Sequence, residues 1–116
     1  MRTNYQWSKE DDALVVIREV EGKVAAVVLV TVHEKHLMIE MLARNKLHPY
    51  RGSAGDLIYL VEKILAPHFR KQEVRLEAMQ DVVPYYSGRG YEAYGKRYND
   101  DDWGNLFPMR KRLGSS

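Results

Sequence analysis

The chain has 116 residues, room for one domain and one core. A hydrophobic share of 45%, a charged share of 29% and a net charge of only +2, with Lys/Arg and Asp/Glu interspersed, exclude global disorder and a nucleic-acid surface spread over the whole domain. The absence of cysteine excludes disulfides, thiolate metal sites and a thiol nucleophile.

The opening residues, MRTNYQWSKEDD, lack the apolar run of a signal peptide and read as an extension, residues 1–12, ahead of the first predicted strand. ALVVIREV (13–20) and VAAVVLVTV (24–32) are β-branched and apolar, and EGK with Gly22 supplies the turn between them, so a hairpin is predicted. VAAVVLVTV is too short to cross a bilayer as a helix. No membrane partner is therefore expected, and the expected compartment is the cytoplasm. After the polar break HEKH, LMIEMLA (37–43) predicts a third strand, with Leu37, Ile39, Met41 and Ala43 on one face and Met38, Glu40 and Leu42 on the other.

Leu57, Leu60, Val61, Ile64, Leu65 and His68 follow helical spacing until Pro67 discourages further helix. EVRLEAM (73–79) alternates as a strand. QDVVPYYSGRGY predicts a short helix capped by Asp81, with Pro84 in its first turn and Gly88 and Gly90 ending it. EAYGKRY and LFPMRKRL predict a last pair of strands around the polar loop NDDDWGN, and residues 114–116 read as a tail outside the fold. The order βββ-α-β-α-ββ predicts an α/β or α+β sheet with helices packed on it.

HPYRGSAGDLIYLVEKIL (48–65) places two glycines, two small residues and an arginine directly ahead of the long helix. That junction is either a plain connecting loop or a cradle for phosphate, because free N–H groups and a positive dipole end attract anions. HEKH is not the helical H-E-x-x-H zinc signature and reads as a hairpin tip, and NDDDWGN lacks the EF-hand pattern, so no metal is expected. MRKRL either touches an acidic partner or, the favoured reading, is a charged edge strand that resists aggregation.

Four of these pieces, in order, resemble the GNAT superfamily of N-acetyltransferases over about Ala13 to Leu113. Gly52, Ser53 and Ala54 match the G-x-[G/A] part of that family's pyrophosphate loop, and Leu76, Glu77 and Ala78 match the end of a later strand. Tyr85, Tyr86, Gly90 and Tyr91 match its FYxxxG[FY] motif, and MRKRL its closing strand. The chain departs from the pattern at Pro49, where the family has Gln or Arg, and at Met79, where it often has Asn. Nor is there room ahead of Ala13 for the family's N-terminal helices.

The resemblance implies a mixed, mostly antiparallel sheet with one long and one short helix, in a single domain spanning 1–116. It implies acetyl-CoA as acyl donor, with the N–H groups of Arg51, Gly52, Ser53, Ala54 and Gly55 on the pyrophosphate and strand residues Met41, Leu42 and Ala43 on the pantetheine arm. Tyr86 would be the general acid toward the departing thiolate, and Glu40, or less favourably Glu77, the base toward an amine acceptor that attacks directly. Trp103 would pack back on the sheet or line the acceptor groove. The alternative is a GNAT-like module that binds acyl-CoA or a protein without turnover. No nucleic-acid partner is expected, and exposed strand edges suggest a homodimer.

Overall fold

The computed structural model describes the backbone of residues 3–10 and, with their side chains, residues 12–114. Residues 1, 2 and 11 of the expected extension and 115–116 of the expected tail lie outside the described residues. Among the described residues, eight strands form one sheet: β1 (Thr3–Glu10), β2 (Ala13–Val20), β3 (Lys23–Val32), β4 (Leu37–Arg44), β5 (Glu73–Met79), β6 (Glu92–Ala93), β7 (Tyr98–Asp100) and β8 (Gly104–Arg112). Their order across the sheet is β1-β2-β3-β4-β5-β8-β6, with β7 also paired to β8. Every pairing is antiparallel except β4 with β5.

The predicted hairpin is present. Glu21 and Gly22 both have positive φ, 54° and 79°, which matches the right-handed strand twist across a two-residue turn and suits glycine. Three expectations are corrected. Residues 3–10, read as an extension, form β1 and pair along the whole of β2. The segment EAYGKRY yields only β6 and β7, two short strands on β8. MRKRL is an edge only in part: Met109 and Arg110 lie between β5 and β6, whereas among the described residues Lys111 and Arg112 pair with β5 alone. Its cations are used inside the sheet: Arg110 and Arg112 approach Glu73 at 4.0 and 3.7 Å.

The long helix runs as α1 (Ser53–Leu60), a π turn (Val61–Leu65) and α2 (Ala66–His68). In the π turn the Ala66 N–H reaches the Val61 carbonyl, five residues back. Pro67 follows without ending the helix, which closes one residue later with Arg70 at φ 59°. A 3₁₀ turn (Gln80–Val82) leads into the short helix α3 (Val83–Gly88). No helix of the described residues is long and apolar enough to cross a membrane.

The core lies between the helices and one face of the sheet. Leu57, Ile58 and Val61 of the long helix are fully buried against Val28, Val30 and Leu37, and the same cluster continues through Leu76 and Met109 across the middle of the sheet. Burying each such aliphatic side chain contributes about 1.5–3 kcal/mol. The other face of β2 and β3 presents Val15, Ile17, Val27 and Leu29, only half-buried, and no described helix lies over it.

Candidate active site

The strand β4 carries a break in its alternation. Val30 pairs with Ile39 and Leu29 with Met41, so Glu40 is an extra residue, a β-bulge. The expectation that Leu37, Ile39, Met41 and Ala43 share a face is therefore corrected. Leu37 and Ile39 are buried, but past the bulge Leu42 packs on the core while Met41 and Ala43 are exposed. Glu40 lies on the face of Met38 and of its partner Thr31, whose Oγ1 donates to Glu40 Oε1 at 3.2 Å.

Next to the bulge the sheet opens. β4 and β5 pair at only three positions, Leu37 with Val74, Met38 with Arg75 and Ile39 with Leu76, and then diverge. Between the diverging strands lies a cavity of about 520 Å³ with Ile39 and Leu76 at its floor. Glu40, Met41, Leu42 and Ala43 form one wall and Glu77, Ala78 and Met79 the other. Val82, Tyr86, Asp100 and Trp103 also line it, so Trp103 reaches this groove. Among the described residues, β4 beyond Ile39 has β3 on one side and no strand on the other. Backbone groups pointing away from β3 there can receive an extended ligand as a strand would.

Tyr85 and Tyr86 touch edge to face on α3, ring centroids 5.3 Å apart, but differ in burial. Tyr86 packs its ring on Tyr91, centroids 5.8 Å apart, and its burial raises the phenol above the ordinary tyrosine range. Tyr85 is 45% exposed and has the Arg89 guanidinium 5.6 Å above its ring.

The predicted residues Arg51 to Gly55 do not line this cavity. They form the entry to α1, which follows β4 through residues 45–52. Ser53 is buried and donates from Oγ to the Ala25 carbonyl at 3.2 Å, so its side chain anchors the loop to β3. Gly52 is next to the Tyr50 phenol: a Cβ at position 52 would stand 2.7 Å from Tyr50 Oη. Tyr50 in turn donates to Asp56 Oδ2 at 2.6 Å, and Arg18, buried on β2, donates to the same oxygen from Nε at 3.0 Å. His48 holds this loop, accepting the Tyr50 N–H on Nδ1 and placing Nε2 3.2 Å from the Val20 carbonyl. The first bond of the helix runs from Asp56 N–H to Gly52 O, and no side chain caps the helix start. The N–H groups of Ser53, Ala54 and Gly55 precede any intrahelical donor.

Some residues of the site carried no signal in the sequence. Arg89 reaches from the end of α3 to the first turn of α1, donating from Nη2 to the Gly55 carbonyl at 3.3 Å. A Cβ at Gly55 would be 3.4 Å from its guanidinium, in ordinary contact. This cation, with exposed Arg51, flanks the helix start. Tyr98 donates to Glu77 in a short contact, and that bond, ahead of burial and the nearby carboxylates Asp100 and Glu40, pushes its phenol up to about 12. Glu40, Glu77 and Asp100 thus give one end of the cavity a negative field.

No protein-family model and no curated protein sequence matches the chain. Solved structures do. Ard1 from Thermoplasma volcanium superposes with a TM-score of 0.76 at 17% identity, over 87% of this chain and 71% of that one. An acyl-CoA N-acyltransferase from Pseudomonas aeruginosa gives 0.74 at 19% identity, over 88% and 70%. A GNAT family acetyltransferase from Elizabethkingia anophelis, solved with acetyl-CoA bound, gives 0.71 at 9% identity, over 88% and 77%. With its strand order, its single parallel seam and its helix entered from β4, the chain has the fold of the GNAT-superfamily N-acetyltransferases.

Proposed function

We propose that the chain transfers the acetyl group of acetyl-CoA to an amine. The observation that carries this reading is the cavity between β4 and β5, where a strand edge without a partner, a phenol and a carboxylate meet. The acetyl-CoA held by the Elizabethkingia protein supports the choice of donor. The pyrophosphate would lie on the N–H groups of Ser53, Ala54 and Gly55, with Arg51 and Arg89 adding positive charge. The pantetheine arm would run along Met41, Leu42 and Ala43, whose free backbone groups replace a missing strand. The negative field of Glu40, Glu77 and Asp100 favours an acceptor that arrives as an ammonium ion.

Chemistry then follows from position. Glu40 takes one proton from the ammonium and frees the nitrogen lone pair, which attacks the thioester carbonyl carbon. As the C–N bond forms and the C–S bond breaks, Tyr86 gives its proton to the departing sulfur. The nitrogen sheds a second proton to water, and solvent restores Tyr86. One proton is released for each amide and thiol made. Holding amine and thioester together supplies much of the rate.

A second reading, a module that binds acyl-CoA without turnover, is favoured by the half-buried sheet face at Val15, Ile17, Val27 and Leu29, over which no described helix lies. One experiment separates the two. Thermal shift with acetyl-CoA and with CoA should raise the melting midpoint by mass action, and thioester consumption should follow on adding an amine panel. No shift with either ligand at millimolar concentration removes both readings, whereas binding without consumption favours the second.

A further inference from the structure

The β3–β4 hairpin tip holds an ordered set of polar groups that the reaction above does not use. Thr31 Oγ1 lies 3.2 Å from Glu40 Oε1 and 2.9 Å from His33 Nε2, and His33 stacks face to face on His36 with ring centroids 4.6 Å apart. A hydroxyl has one proton, and an ionised carboxylate only accepts. Thr31 therefore gives its proton to Glu40 and must receive one from His33, which fixes the proton of a neutral His33 on Nε2. The chain of bonds has one direction, from His33 through Thr31 to Glu40. Thr31 pairs with Met38, and Glu40, two residues further along β4, lies on the same face, which puts the carboxylate within reach of the hydroxyl.

We propose that Thr31 and His33 are positioning residues for Glu40: they tie down Oε1 and leave Oε2 to take the proton of the incoming ammonium. This rests on the acetyltransferase reading. Stacking on His36 restrains the His33 ring, and the hairpin bond from His33 N–H to the His36 carbonyl, 2.9 Å, restrains its backbone. The titratable and charged groups around the pair are Lys71, Glu73 and Arg75 beside His36, and Glu77, Asp100 and the neutral phenol of Tyr98 across the cavity from Glu40.

The test uses the whole chain and an amine that it acetylates. Thr31→Val keeps the shape and strand preference but loses the hydroxyl. Its kcat should fall roughly 10-fold, a fraction of the 10²- to 10⁴-fold that a general base supplies, while KM for acetyl-CoA and the melting midpoint stay at the parent values. Thr31→Ser should restore kcat. In a Glu40→Gln background, Thr31→Val should cost nothing more, since residues acting as one unit are not additive. Nitrogen NMR of neutral His33 should report the Nε2–H tautomer in the parent and its loss in Thr31→Val. A parent-like kcat for Thr31→Val, a loss that serine does not restore, or a loss additive with Glu40→Gln overturns the proposal. An active parent whose Glu40→Gln variant is equally fast overturns the proposal alone. An inactive parent overturns the acetyltransferase reading with it.

Discussion

At the scale of single residues, Tyr86 gives the sharpest expectation. Its ring packs on Tyr91, so Tyr86→Phe preserves the contact and deletes only the hydroxyl. Acetyl-CoA affinity should hold while the single-turnover rate drops by about 10²- to 10⁴-fold where chemistry limits it. Tyr85→Phe is the internal control and should cost little, because Tyr85 faces outward under Arg89. The same scale shows what one sequence can and cannot tell. The Gly-rich junction was legible as a helix entry with free N–H groups. The particular need for Gly52 was not, since the space it leaves is taken by Tyr50, two residues earlier. Arg89 left no trace because a cation between Gly88 and Gly90 looks like any exposed turn, and only folding brings it to Gly55.

At the scale of elements, strands β2 to β5 and both helices follow from periodicity, whereas irregularities inside them do not. LMIEMLA reads as clean alternation, and nothing in its composition marks Glu40 as the residue that slips out of register. Nor did the apolar spacing of the long helix reveal the π turn. β1 was missed because TNYQWSKE intersperses polar and aromatic residues without an apolar run, and its place comes from pairing with β2. The π turn bears on stability. It includes Glu62, 6% exposed, which accepts from Tyr91 Oη at 2.8 Å and pairs with Lys111 Nζ at 2.8 Å. Burial and this carboxylate hold the Tyr91 phenol well above its ordinary range. Lys111→Met removes the partner but keeps a stem of similar length beside Gly90, leaving a buried carboxylate with its bond from Tyr91. Urea unfolding should show a loss of about 3 kcal/mol, toward the low end for breaking a buried pair because Lys111 is partly exposed. An unchanged midpoint would mean that Glu62 takes its charge outside.

At the scale of the whole molecule, the two halves of the sheet share a core but only a short backbone seam. Leu37, Ile39, Val74 and Leu76 are all buried at that seam, so side chains hold the halves together where hydrogen bonds are few. The sequence could place the strands on either side, yet the point at which a parallel pair stops is decided by packing across the molecule and is not written in either strand. That point has a consequence for acyl choice. Where the seam ends, Ile39 and Leu76 act as a ruler for whatever lies at the bottom of the cavity, and the length of the ruler is set by a methyl group. Shortening it by one carbon, with Ile39→Val, should raise the preference for propionyl-CoA over acetyl-CoA by roughly 3- to 10-fold, near the lower limit of what one methylene is worth in an apolar pocket. Competition between the two thioesters for one amine would read that ratio directly, and an unchanged ratio would mean that the acyl group never reaches the floor.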